Sequence, residues 1–160
     1  MNSLYASNTG LIHLITAVFS LIAGTLVLYL PKGAKLHKQM GYAYSVCMLI
    51  MLITAFMIYR LFNGFGVFHI AAIASSFQLL VGLYVPLFMR KNKMWPYYHF
   101  RYMYWSVIGL YAAFVAETMV RIPQTPFFGM VGVAVTVVVI GGVIGFSKKQ
   151  KEWKERWVKN

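Results

Sequence analysis

The sequence predicts an all-α integral membrane protein: a bundle of five transmembrane helices with its N-terminus outside and its C-terminus in the cytoplasm. Three observations point there. Of 160 residues, 60% are hydrophobic and 17% aromatic, and the mean hydropathy is +0.66, which leaves too little polar surface for a soluble globule. The apolar residues fall into five nearly uncharged runs of about 20 residues, the length that crosses ~30 Å of hydrocarbon. Lys and Arg gather in alternate connections, as the positive-inside rule requires. Strands spanning a membrane would read as short alternating segments, whereas these runs are continuous and rich in Leu, Ile, Met and Ala.

The first run, Leu11 to Leu30, has full membrane length and no basic stretch before it, so it is expected to remain as a span and not to be removed as a targeting peptide. The second, Met40 to Tyr59, holds the single Cys47, which alone builds neither a disulfide nor a Cys-based metal site. The third is Val67 to Met89 and the fourth Tyr98 to Val120. The fifth, Phe127 to Phe146, contains Gly129, Gly132, Gly141, Gly142 and Gly145, which suit close helix packing within one subunit or in a homodimer. Residues 1–147 therefore read as one bundle. Residues 148–160 read as a basic amphipathic cytoplasmic tail, with Trp153 and Trp157 one turn apart among lysines, fit to lie at the headgroup level.

Orientation follows from the basic connections. Lys32, Lys35 and Lys38 lie between the first and second runs, Arg90, Lys91, Lys93 and Arg101 flank the third connection, and Lys148, Lys149, Lys151, Lys154 and Arg156 crowd the C-terminus. These regions are assigned to the cytoplasmic face of a plasma membrane. The net charge of +12 is then accounted for by topology and by attraction to anionic lipid, and nucleic-acid binding is set aside.

The chain has four histidines, one on each of the first four expected helices: His13, His69 and His99 within their runs and His37 at the opening of the second helix, just before its run. Ionisable or metal-ligating groups inside a bilayer are costly and mark functional sites. With the N-terminus outside, His13 and His69 share an outer level, and His37 and His99 share an inner one. Arg60 lies 23 residues beyond His37, on the order of 34 Å along a helix, so a single four-His centre is excluded. Below His13 on its face come Ala17, Ser20 and Gly24; His69 is followed by Ala72, Ser76 and Leu80, His99 by Met103, Ser106 and Leu110, and His37 by Gly41, Tyr44 and Met48. Small faces permit close backbone approach, or make room for a flat macrocycle beside an axial imidazole.

Histidines from alternate helices at matched depth are what bis-imidazole ligation of haem b requires, one nitrogen from each side of the ring plane. His13 and His69 would hold an outer haem, and His37 and His99 an inner one. Lys35, Lys38 and Arg101 stand beside the inner pair, where cations could neutralise propionates. Such a protein would carry electrons across the membrane between a quinol or small redox partner and an acceptor. Alternatively, His37 and His99 are ordinary interfacial residues in basic connections.

Glu117 is the one carboxylate within a span. An ion pair with Arg121, four residues on, is one reading; a Zn or Fe site of His13, His69 and Glu117 with an open position is another. A third reading has no cofactor, with the bundle as an accessory subunit. The sequence contains no nucleotide loop and no pair of intramembrane carboxylates.

The run Leu36-His37-Lys38-Gln39-Met40-Gly41-Tyr42-Ala43-Tyr44, the segment from His99 to Ser106, and Arg121 resemble a bacterial multi-pass membrane family, domain of unknown function 2306 (DUF2306). The resemblance covers roughly Gly10 to Pro123. Lys38 stands where that family's motif has Arg, and Phe100 and Trp105 stand where further Arg residues are usual. The layout of one His per helix is also similar, in architecture only, to the two-haem b-561 class of transmembrane cytochromes, and that similarity implies electron transfer between membrane faces.

Overall fold

The computed structural model describes residues 7–58, 64–120 and 127–158. Among them there are five helices, α1 (Asn8–Tyr29), α2 (Lys35–Ala55), α3 (Val67–Phe88), α4 (Trp95–Val120) and α5 (Phe127–Val158), so the fold is all-helical. Among the described residues three stretches, Asn8–Tyr29, Val67–Phe88 and Gly129–Glu155, are long and apolar enough to cross a membrane.

Helix ends follow from local chemistry. Ser7 opens α1 by accepting the Gly10 N–H on its hydroxyl at 3.1 Å, supplying one orphan donor of the first turn. At the other end Lys32 folds back to donate Nζ to the Val27 and Leu28 carbonyls at 2.5 and 2.9 Å, which satisfies acceptors the helix cannot. Gly33 then turns the chain at φ +83°, a conformation that costs a side-chain-bearing residue about 1–2 kcal/mol.

The helices extend beyond the apolar runs where the hydrocarbon ends before the hydrogen-bonding does. Helix α2 begins at Lys35, ahead of Met40, and its last residue is Ala55, with Tyr59 outside the described residues. Helix α4 begins at Trp95 with Pro96 in its first turn, where a missing N–H is no loss. The basic stretch from Lys148 to Val158 continues α5 without a break, making one helix of 32 residues, about 48 Å long.

By compactness the chain forms two units, Met1–Ser76 and Phe77–Asn160, divided within α3. In the first, α1 buries the small face Ala17, Ser20, Ala23, Gly24 and Val27, and α2 buries Tyr44, Ser45, Met48, Met51, Leu52 and Thr54. The two helices pack against each other, small residues admitting large ones. Phe19, Ile22, Tyr42 and Ile53 point outward, as side chains facing lipid do. Because hydrocarbon is as apolar as these side chains, the pairing is held by dispersion and close fit more than by expulsion of water.

In the second unit α4 packs against α5. The Tyr104 hydroxyl donates to the Gly142 carbonyl at 3.0 Å, and a Cβ on Gly142 would stand 2.7 Å from Ile108 Cγ2. A Cβ on Gly145 would stand 2.6 Å from the Tyr104 hydroxyl. These two glycines thus serve packing inside the unit, while Gly132 and Gly141 face open space.

Candidate functional site

Each histidine can be placed by what its ring nitrogens touch. His13 on α1 is half-buried, and its Nδ1 lies 3.1 Å from the Met51 carbonyl and 3.1 Å from Thr54 Oγ1. A carbonyl only accepts, so the neutral ring carries its proton on Nδ1 and keeps the lone pair on Nε2. Thr54 spends its own proton on the Met51 and Ile50 carbonyls, so toward His13 it too accepts. A ring oriented through Nδ1–H to a carbonyl is the arrangement that prepares Nε2 for a metal.

His99 on α4 has the same arrangement from a different cause. Its Nδ1 donates to the Gly82 carbonyl of α3 at 2.7 Å. Pro86 lies inside α3, four residues beyond Gly82. Lacking an N–H, it leaves that carbonyl without its helical partner. The proline creates the vacancy and the imidazole fills it. Gly82 is buried and also admits α4, because a Cβ there would stand 2.6 Å from Met103 Sδ.

His69 differs. It is 3% exposed and is the third residue of α3, and its Nδ1 accepts the Gly66 backbone N–H at 3.1 Å. This is the N-terminal capping geometry in which the third helical residue reaches back to the cap. The neutral ring therefore carries its proton on Nε2. Phe65 stacks on the ring at 4.9 Å and Phe56 lies tilted at 6.4 Å. His13 and His69 thus both lie against the C-terminal end of α2, His13 at Met51 and Thr54 and His69 at Phe56.

His37 is half-buried in the first turn of α2, flanked by exposed Lys35 and Lys38. It belongs to the first unit, whereas His99 and the exposed Arg101 belong to the second. Glu117 is on α4, and Arg121 lies outside the described residues. Among the described residues no three His, Cys, Asp or Glu side chains form a group able to hold a metal ion.

The level of His99 can be read from α5. Its neighbour Phe100 stacks on Phe146 at 5.7 Å and on Trp153 at 4.6 Å, the planes 9° and 4° apart. The Tyr97 hydroxyl donates to Gln150 Oε1 at 3.2 Å. His99 therefore stands at the level of the second unit where α5 passes from apolar residues to lysines. Sequence reasoning missed this aromatic stack and the Gly82–Pro86 pair, although a proline four residues beyond a glycine in an apolar run is visible in the sequence.

Tested against haem b, the donor set divides. His13 and His99 each place Nδ1 on a backbone carbonyl, the tautomer in which Nε2 is the ligating nitrogen. His69 presents Nε2–H and would have to exchange tautomer, giving up the Gly66 bond. The chain has no significant match among curated proteins or among solved structures. The family described as predicted membrane protein (DUF2306) matches residues 10–147, nearly the whole helical part, and the chain belongs to that family.

Proposed function

We propose that the protein carries electrons across the plasma membrane through b-type haem, in a five-span topology with the N-terminus outside. One observation supports this most directly: His13 and His99 each hold Nδ1 against a backbone carbonyl of a neighbouring helix, the contact that fixes tautomer and ring orientation in metal-ligating imidazoles. His69 would complete the outer pair with His13, and His37 the inner pair with His99. Lys35, Lys38 and Arg101 would meet the inner propionates. Bound haem would supply a reversible one-electron iron couple, and a quinol or small redox partner would exchange electrons with it. The chain's own part is to fix imidazole orientation and to keep the iron's surroundings apolar, which sets its potential.

A second reading, a cofactor-free accessory subunit, is favoured by the capping role of His69, which gives that buried ring a structural purpose without any ligand. The absorption spectrum of the detergent-solubilised protein separates the two. A Soret band that shifts on dithionite reduction supports the haem reading, and a colourless protein expressed with haem in excess rejects it.

A further inference from the structure

The end of the second unit that carries the lysines of α5 is built more firmly than a solvated basic tail. Trp153 is stacked on Phe100, Gln150 accepts from Tyr97, and Lys154 Nζ stands over the Tyr97 ring, 5.5 Å from its centroid. These contacts hold the last turns of α5 along the first turns of α4 and seat Lys154 over an aromatic ring.

Their charges are unevenly compensated. Lys148 and Lys149 lie one turn from Glu152, and Lys151 lies one turn from Glu155, spacings at which opposite charges offset each other. Lys154 has no carboxylate three or four residues away in either direction. Arg101 is exposed and likewise has none. It lies one turn beyond Tyr97 on the same face of α4, the residue whose ring carries Lys154. Arg90, Lys91 and Lys93, in the connection entering α4, keep the local field positive. This end lies where the apolar run of α5 stops, so it belongs at headgroup depth.

We propose that Lys154, over the Tyr97 ring, and Arg101, one turn from Tyr97 along α4, bind the phosphate of an anionic lipid headgroup. Guanidinium and ammonium groups form charge-assisted bonds to phosphate oxygens, and Trp153, stacked on Phe100, is the kind of aromatic residue found at membrane interfaces. The inference rests on this end lying at a bilayer surface and concerns the haem-free protein, in which Arg101 has no propionate to meet.

Native mass spectrometry of protein released from nanodiscs tests it, with phosphatidylglycerol or phosphatidylcholine as the probe lipid. Both faces of a disc carry the same lipid, so the result does not depend on which face is the cytoplasm. Arg101→Gln and Lys154→Gln should each lower retained phosphatidylglycerol about fivefold, the scale of one basic group at an anionic surface. Lys148→Gln and Lys151→Gln, which remove the same charge, should lower it less than about twofold. Arg101→Lys and Lys154→Arg should keep it, and phosphatidylcholine retention should not change.

Equal losses from all four Gln variants would overturn the inference, because net charge would then suffice. Displacement of the lipid by millimolar inorganic phosphate would overturn the lipid assignment in favour of a free anion. Failure of the wild-type protein to enter discs would reject the membrane placement itself, a result distinct from both.

Discussion

Replacing His99 by Ala removes the donor from the Gly82 carbonyl. Gly82 is buried, and Pro86 has no N–H to offer in the imidazole's place. A buried acceptor left without a partner costs about 1–3 kcal/mol, so His99→Ala should destabilise the protein by that much before any effect on a ligand is counted. Pro86→Ala restores an N–H at the position where an α-helix would bond the same carbonyl. In the wild type that carbonyl already holds the 2.7 Å bond from His99, so the new N–H gains little there. In the His99→Ala background it meets a vacant acceptor, and one hydrogen bond contributes a net of about 0.5–1.5 kcal/mol. The two substitutions should therefore couple: Pro86→Ala helps more in the variant than in the wild type, by about 1 kcal/mol. Unfolding of the four proteins in mixed micelles by SDS titration measures the cycle. An identical effect of Pro86→Ala in both backgrounds would refute the reasoning that the proline creates the site His99 occupies.

Three further outcomes follow from packing and backbone geometry. Gly145→Ala should cost about 1–3 kcal/mol as an overpacked contact, but much less in a Tyr104→Phe background, because the next atom of that ring stands 3.8 Å from the new Cβ; the same unfolding assay shows whether the effects are non-additive. Gly33→Ala should cost about 1–2 kcal/mol from its positive φ alone, whereas Gly41→Ala, with nothing within 4 Å of its Cβ, should gain up to about 1 kcal/mol of helix propensity. His69→Gln should keep more stability than His69→Ala, since Gln also caps from the third helical position, whereas Ala loses the cap and empties the space of the buried, stacked ring, about 2–5 kcal/mol. If His69 also ligates haem, both variants should lose the outer haem despite their different stabilities.

Much of the fold was legible because a bilayer reduces the options: an apolar run of the right length must satisfy its backbone internally, and the helix is the local solution. What escaped was the helix beyond the hydrocarbon. Helix α2 starts at Lys35 and α5 continues to Val158, since hydrogen-bonding propagates into polar sequence when caps and packing permit, and hydropathy does not register this. The four histidines were legible as residues to watch, but not in their roles. Periodicity places His69 on a face; only its distance to the Gly66 N–H shows that it caps α3. Likewise Met103, expected on the His99 face, could be paired with Gly82 only through the three-dimensional register of α3 and α4. Long-range pairings such as Tyr97 with Gln150 have no local signature at all.

The central claim is that imidazoles presented at two levels hold haem, and reduced-minus-oxidised spectra of the wild type and the four single His→Ala variants test it most directly. The wild type should hold two haems per chain. His13→Ala and His69→Ala should remove one and leave the other, and His37→Ala and His99→Ala should do the reverse. Wild-type protein without a Soret band, or four variants with unaltered spectra, would contradict it.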